Sequence, residues 1–178
     1  MEEFREFKVT IEDDEQSFKI RKPENQDLMD SEFEYSREFN RAIMAGIMPE
    51  ARIKVVLNDN GIWGEADEEE IADQLEVVRD LEGDLEEAET NAEEVALANE
   101  LKDARDKLYA LRQARSQLFS HSSEAKAESV QREFLVSRCT QFPSGVNVWK
   151  SLKEFRDDKR PSLVLMASYE FMTFSNGI

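Results

Sequence analysis

Carboxylates dominate any search of this chain for chemistry. Sixteen of them lie in residues 65–100 against one base, Arg79, a local net of −15 in a chain of net −17. Acid–base work by a carboxyl pair needs two environments that differ, one keeping its proton and one losing it, inside a cleft. Here Ile71, Leu75, Val78, Leu81, Leu85 and Ala88 recur between the acids at helical spacing. That pattern places the acids on the solvated flanks of one amphipathic helix, in surroundings that are all alike.

The remaining reactive residues are sparse. His121 is the one histidine and Cys139 the one thiol. A cysteine–histidine nucleophile needs the two side chains in contact with a third group orienting them. His121 stands among serines at a helix break, and Cys139 follows Val136 in a helix interior, where a small buried residue is the ordinary role. Asn58, Asn60 and Gly61 match three positions of a calcium-binding helix–loop–helix, but Val56 replaces its first ligand and Asp67 its bidentate glutamate. A helix C-cap accounts for Asn60-Gly61 directly. Six scattered glycines form no phosphate loop, and no zinc-ligand spacing occurs. The expectation is a protein that is not an enzyme and takes no cofactor and no metal.

Charge then bears on partners. A sequence pI near 4.5 opposes direct contact with nucleic-acid phosphates or anionic membranes, and favours a protein partner, a basic one above all. Residues 102–115 reverse the sign locally, with Lys102, Arg105, Lys107, Arg112 and Arg115 against Asp103 and Asp106. A single cysteine fits a reducing compartment. Met1-Glu2-Glu3-Phe4 lacks the pattern of a secretory signal, and no apolar run approaches the ~20 residues that span a bilayer, so the chain is expected not to be secreted and to have no transmembrane segment.

Along the chain, Phe7, Val9 and Ile11, then Phe18 and Ile20, alternate with polar residues about a turn at Glu12–Ser17, which predicts a short β-hairpin. Pro23 opens a helix with Leu28, Tyr35, Phe39, Ala42, Ile43 and Gly46 on one stripe. Pro49 opens a second, with Ile53, Val56 and Leu57 inward, closed by Asn60-Gly61 and lidded by Ile62-Trp63. The acidic helix starts at Asp67 with Glu70 completing a capping box, and Gly83 weakens its interior. Thr90 with Glu93 is a second box and marks the reversal into a helix with the seam Leu97, Leu101, Ala104, Leu108, Leu111 and Leu118, interrupted by Arg115. After Ser120–Ser123, a helix runs through Ala127, Val130, Phe134 and Cys139 to a stop at Phe142–Gly145. Val146–Trp149 is extended, and Ser151 with Glu154 caps a short helix.

Two surfaces are candidates for binding. The segment from Leu163 to Phe174 is apolar nearly all round, and Leu163, Met166, Tyr169, Phe171, Met172 and Phe174 either close the core or meet a partner. Glu68, Glu69, Asp73, Glu76, Asp80, Asp84 and Glu87 form an acidic face, for solvation, for a basic partner, or for mimicry of DNA.

The run Tyr35-Ser36-Arg37-Glu38-Phe39-Asn40-Arg41-Ala42-Ile43-Met44-Ala45-Gly46, then Gly61-Ile62-Trp63 ahead of an acidic helix, is similar to small acidic proteins of tailed bacteriophages. So is Arg112 to Cys139, with Glu124 and Glu128 inside a helix. The likeness covers residues 33–155, and the apolar C-terminal helix lies outside it. It implies a tail assembly chaperone or another tail morphogenesis factor, a phage tail component as partner, and a place in the cytoplasm of the infected host or in the virion. The fold expected from the residues is mainly α. A coiled-coil-like antiparallel helical hairpin (65–119) stands on a small helical body with a short N-terminal β-hairpin (1–64), and C-terminal helices (120–178) pack back on the body, with a homo-oligomer as a further option.

Overall fold

A computed structural model describes residues 4–88 and 90–175. The protein is mainly helical, with a short N-terminal antiparallel β-hairpin. It divides into two compact units: residues 1–46 with 126–178, and residues 47–125.

In the first unit, β1 (Phe4–Ile11) pairs with β2 (Asp14–Arg21), Phe7 opposite Phe18, and β3 (Thr140–Gln141) adds to the far edge of β2. The turn is tighter than the six polar residues of 12–17 implied. Glu12 and Asp13 alone make it, with φ of 51° and 71°, the left-handed pair that matches the twist of a two-residue hairpin. Asp14–Ser17 are therefore strand residues, polar because the strand runs on past the core. One face of this sheet buries Phe7, Val9, Phe18 and Ile20. Against it lie Val136 and Cys139 of α5 (Ser123–Cys139), Trp149, Phe155 of α6 (Leu152–Arg156), and Leu163, Ala167 and Phe171 of α7 (Pro161–Ser175). Ser151 caps α6 as its spacing with Glu154 predicted, accepting from the Glu154 N–H at 3.2 Å.

α1 (Asn25–Met44) departs from its expected stripe. Its buried positions are Asp27, Ser31 and Ala42, while Leu28 and Ile43 are exposed. Polar bonds fix this face: Asp27 takes the Arg21 guanidinium at 2.6 Å, Arg138 at 3.4 Å and the Glu24 N–H at 3.0 Å, and Gln131 donates to Ser31 at 3.3 Å. Burial raises the Asp27 carboxyl, but these donors outweigh it and hold the group below the ordinary aspartate range.

Asp158 shows the same physics more sharply. It accepts from Trp149 Nε1 at 2.6 Å, from Arg160 Nε and Nη2 at 3.0 and 2.6 Å, and from the Arg160 N–H at 2.8 Å. Those bonds, Arg160's side chain first among them, hold the carboxyl down at about 2. An unfolded aspartate titrates near ~3.9, so this stabilisation is fully present above about pH 4 and is lost as pH falls toward 2. Asp158→Asn is expected to cost about 2 kcal/mol at neutral pH and almost nothing at pH 2. Urea unfolding followed by Trp149 fluorescence in a Trp63→Phe background at several pH values checks it; equal losses at both ends would contradict the assignment.

The second unit holds α2 (Glu50–Asp59), α3 (Glu65–Glu87) and α4 (Asn91–Phe119). Residues 47–64 were expected with the β-hairpin and instead belong here. The backbone carbonyl of Met48 accepts from Ser123, the Glu50 N–H donates to Glu124, and the Glu50 carboxylate pairs with Arg115. Within α2, Ile53 and Leu57 are half-buried but Val56 is exposed, and in the predicted lid only Trp63 is buried while Ile62 is not. α3 begins two residues before Asp67. Gly64 is its N-cap and Asp67 reaches back to the Gly64 N–H at 2.7 Å, so Asp67 fills the third helical position, not the cap. At the reversal Thr90 caps α4 as its spacing with Glu93 predicted, accepting from Glu93 at 3.3 Å.

α3 and α4 pack against one another in opposite directions. Glu82 pairs with Arg105 at 2.7 Å, Glu70 with Lys107 at 3.2 Å, and Gln74 donates to the Ala104 carbonyl at 3.2 Å. Val78, Leu101, Ala104 and Leu108 form the buried seam, with Ile71, Leu75, Leu81 and Leu85 half-covered around it. Gly83 sits inside α3 with open space where a side chain would go. Gly83→Ala is therefore expected to stabilise the protein by about 0.5–1 kcal/mol, readable as a raised denaturant midpoint.

Candidate interaction surfaces

α7 separates its apolar residues into two faces. Pro161 at the first helical position needs no N–H partner, and the helix then turns Leu163, Ala167 and Phe171 into the core. Val164 and Phe174 are partly buried beside them, and Lys22 lies 5.5 Å over the Phe174 ring. On the opposite side Leu165 (73% exposed), Tyr169 (62%), Met172 and Met166 face solvent. Of the six candidate partner-binding residues, Leu163, Phe171 and Phe174 thus belong to the core, and Met166, Tyr169 and Met172 to the surface. Leu165, absent from that set, is the most exposed of them all. The signal for it was the four-residue step through small Ala167, which marks the tightly packed face and leaves 165, 169 and 172 opposite.

The exposed face of α7 carries no charge. Its one ionisable acid, Glu170, is partly buried and pairs with Arg5 at 3.0 Å. Alongside runs a groove of about 260 Å³ between α5 and α7, lined by Ser129, Arg132, Glu133, Val136, Ser168 and Met172. α1 adds exposed Leu28, Met29 and Phe33, the last 69% accessible. Sequence pattern missed these because they fell outside, or on the wrong side of, the stripe it assigned.

Glu69, Asp73, Glu76, Asp80, Asp84 and Glu87 are exposed along α3, as the acidic face required. Glu68 leaves that face. It is half-buried, accepting from Arg115 Nε at 3.0 Å and Trp63 Nε1 at 3.2 Å, with Lys54 at 3.4 Å. Burial raises its carboxyl and these donors bring it below the ordinary glutamate range. Arg115, expected to interrupt the α4 seam, bridges Glu50 and Glu68 and lies 4.8 Å over the Phe119 ring. A cleft of about 320 Å³ lies beside this cluster, lined by Lys54, Val55, Asn58, Trp63, Gly64, Glu65 and Glu68.

The thiol of Cys139 is wholly buried, and that burial pushes it up to about 12, so it stays protonated at neutral pH. His121 is exposed at the turn before α5. Asn60 caps α2 and donates to the Val56 carbonyl at 2.7 Å, with Gly61 at φ 64°, the helix end that the sequence read there. Among the described residues no three acidic, histidine or cysteine side chains are grouped to hold a metal, and no helix is long and apolar enough to cross a membrane. No protein-family model, curated protein or solved structure matches the chain.

Proposed function

We propose that the protein is a non-enzymatic assembly factor or virion component of a tailed bacteriophage, a tail assembly chaperone-like binder acting through protein–protein contacts. The observation that carries this reading is the uncharged apolar face of α7, Leu165, Met166, Tyr169 and Met172, on a chain of net −17. Side chains of this size held in solvent gain most when a partner covers them, and methionine adapts to more than one partner shape. In this reading α3 and α4 form a coiled-coil-like antiparallel hairpin whose carboxylates keep the complex soluble and steer a partner toward it. The client is a long, helical, aggregation-prone tail component, met in the host cytoplasm before assembly.

The test is co-expression with such a tail component of the same virus. The wild-type chain is expected to raise the soluble fraction of the client. Leu165→Asp with Tyr169→Asp should abolish that effect while the protein's own stability moves by no more than about 0.5 kcal/mol, as exposed positions allow. A client as soluble with the variant as with the wild type sinks the reading.

The row of exposed acids on α3 favours a second reading, a DNA mimic that inhibits a nucleic-acid-binding host protein. Steps of three and four residues space these acids ~4.5–6 Å along the axis, against one phosphate charge per ~1.7 Å of duplex. The lower density places this reading second. A mimic's complex should fall apart as salt rises to about 0.5 M, whereas one held by the α7 face should persist.

A further inference from the structure

The groove between α3 and α4 is rimmed mainly by positive charge, although α3 lies in the acidic stretch of residues 65–100. Its floor is Leu75, Val78 and Leu108. Its rim carries Arg79, Arg105, Tyr109 and Arg112 with one carboxylate, Glu82, around a space of about 380 Å³. Glu82 is taken by Arg105 at 2.7 Å. Arg79 and Arg112 are exposed and have no hydrogen-bond or ion-pair partner among the described residues. For Arg79 this is notable, since it is the only base among the sixteen acids of residues 65–100. The abundant carboxylates of α3 lie elsewhere on the helix: Glu69, Asp73, Glu76, Asp80 and Glu87 are none of them among the residues lining the groove.

We propose that this groove docks an acidic amphipathic helix of a partner protein. The partner's apolar ridge lies along half-covered Leu75 and exposed Tyr109, above the already buried Val78 and Leu108, and carboxylates flanking that ridge meet Arg79 and Arg112. The shape fits because two antiparallel helices leave a channel between their side-chain ridges that a third helix fills, completing a small bundle. It also answers an energetic gap: Leu75 is only half-covered by the α3–α4 contact, and a third helix buries it further. Charge sets the partner's sign. Guanidiniums form paired hydrogen bonds with carboxylates, and repel a basic helix that the net charge of the chain would otherwise attract. Tyr109, 66% exposed on the rim, supplies the aromatic contact common at the energetic centre of interfaces. This site is separate from the α7 face and does not depend on what that face binds.

The experiment sets local charge against global charge, using the full chain. Two fluorescent helical peptides of about three heptads carry Leu at a and d, one with Glu and the other with Lys at e and g; a single-stranded oligonucleotide of about 20 nucleotides is the third probe. Anisotropy at about 0.15 M salt, where exposed charges beyond about 8 Å are largely screened, is expected to show the Glu peptide binding with one-to-one stoichiometry. The double variant Arg79→Glu/Arg112→Glu should weaken that binding by about tenfold or more and strengthen binding of the Lys peptide. Both arginines are exposed and unpaired, so circular dichroism should report an unchanged fold. Should the reversal disturb the helices, Arg79→Gln/Arg112→Gln gives the same loss in smaller measure. No binding of the Glu peptide overturns the proposal, as does equal binding to wild type and variant. Arginine-dependent binding of the oligonucleotide alone overturns it in favour of a phosphate-binding groove.

Discussion

Ending the chain at Ser162 is expected to destroy the fold of the first unit. Such a chain lacks Leu163, Ala167 and Phe171, three nearly or wholly inaccessible side chains that close the core over Phe7, Val9, Phe18 and Ile20. Each large buried side chain contributes about 1.5–3 kcal/mol, and losing two with the helix between them approaches the whole stability of a small domain. The truncated protein should aggregate, and in a Trp63→Phe background the Trp149 emission should shift to the red as its cover is lost. A soluble monomer with native Trp149 emission would show that α7 contributes no core. Point substitutions then separate the two faces. Ala167→Glu buries a charge without a partner and should unfold the unit, whereas Tyr169→Glu should leave its melting temperature nearly unchanged.

Leu101→Ala and Leu108→Ala are each expected to cost about 2–5 kcal/mol. Both side chains are buried in the seam with Val78 and Ala104, and removing either leaves a cavity that the half-covered Ile71, Leu75, Leu81 and Leu85 can only partly refill. The lower half of that range is the better expectation, because a seam between two helices relaxes more readily than an enclosed core. Chemical denaturation of each single variant measures the loss. Values near zero would mean that α3 and α4 do not pack.

The contrast between these two regions shows what a sequence reveals. The α3–α4 pair was legible because each helix has one apolar stripe with charged flanks, so periodicity alone identifies the buried side. α7 was harder to read, because both its faces are apolar and only the four-residue step through small Ala167 marks the covered one. The strands were legible from Phe7, Val9, Phe18 and Ile20, but the polar end of β2 looked like a turn, since alternation vanishes where a strand runs past its core. β3 left no trace: two residues, Thr140 and Gln141, pair with Ile20 and Lys19 from more than a hundred positions away. α1 was misread for a related reason. Asp27 and Ser31 lie on its buried side because Arg138 and Gln131 wait there, and no local pattern announces a distant donor. Arg115 shows how a seam position can look like a defect. Read along α4 it breaks the heptad; in three dimensions it ties Glu50 to Glu68 across three helices.

The division of the chain has a consequence for the order in which the protein is made. Residues 47–125 form their unit from one uninterrupted stretch, while the other unit needs residues 1–46 and 126–178 together. On the ribosome the helices of the inner stretch can therefore pair as soon as they emerge. The β-hairpin, made before that stretch, has no cover for Phe7 and Phe18 until α5, α6 and α7 follow it. Isolated two-stranded hairpins are marginal in water, so the strands of the hairpin stay unfolded or in transient company until then. Birth order and folding order run opposite to each other in this chain.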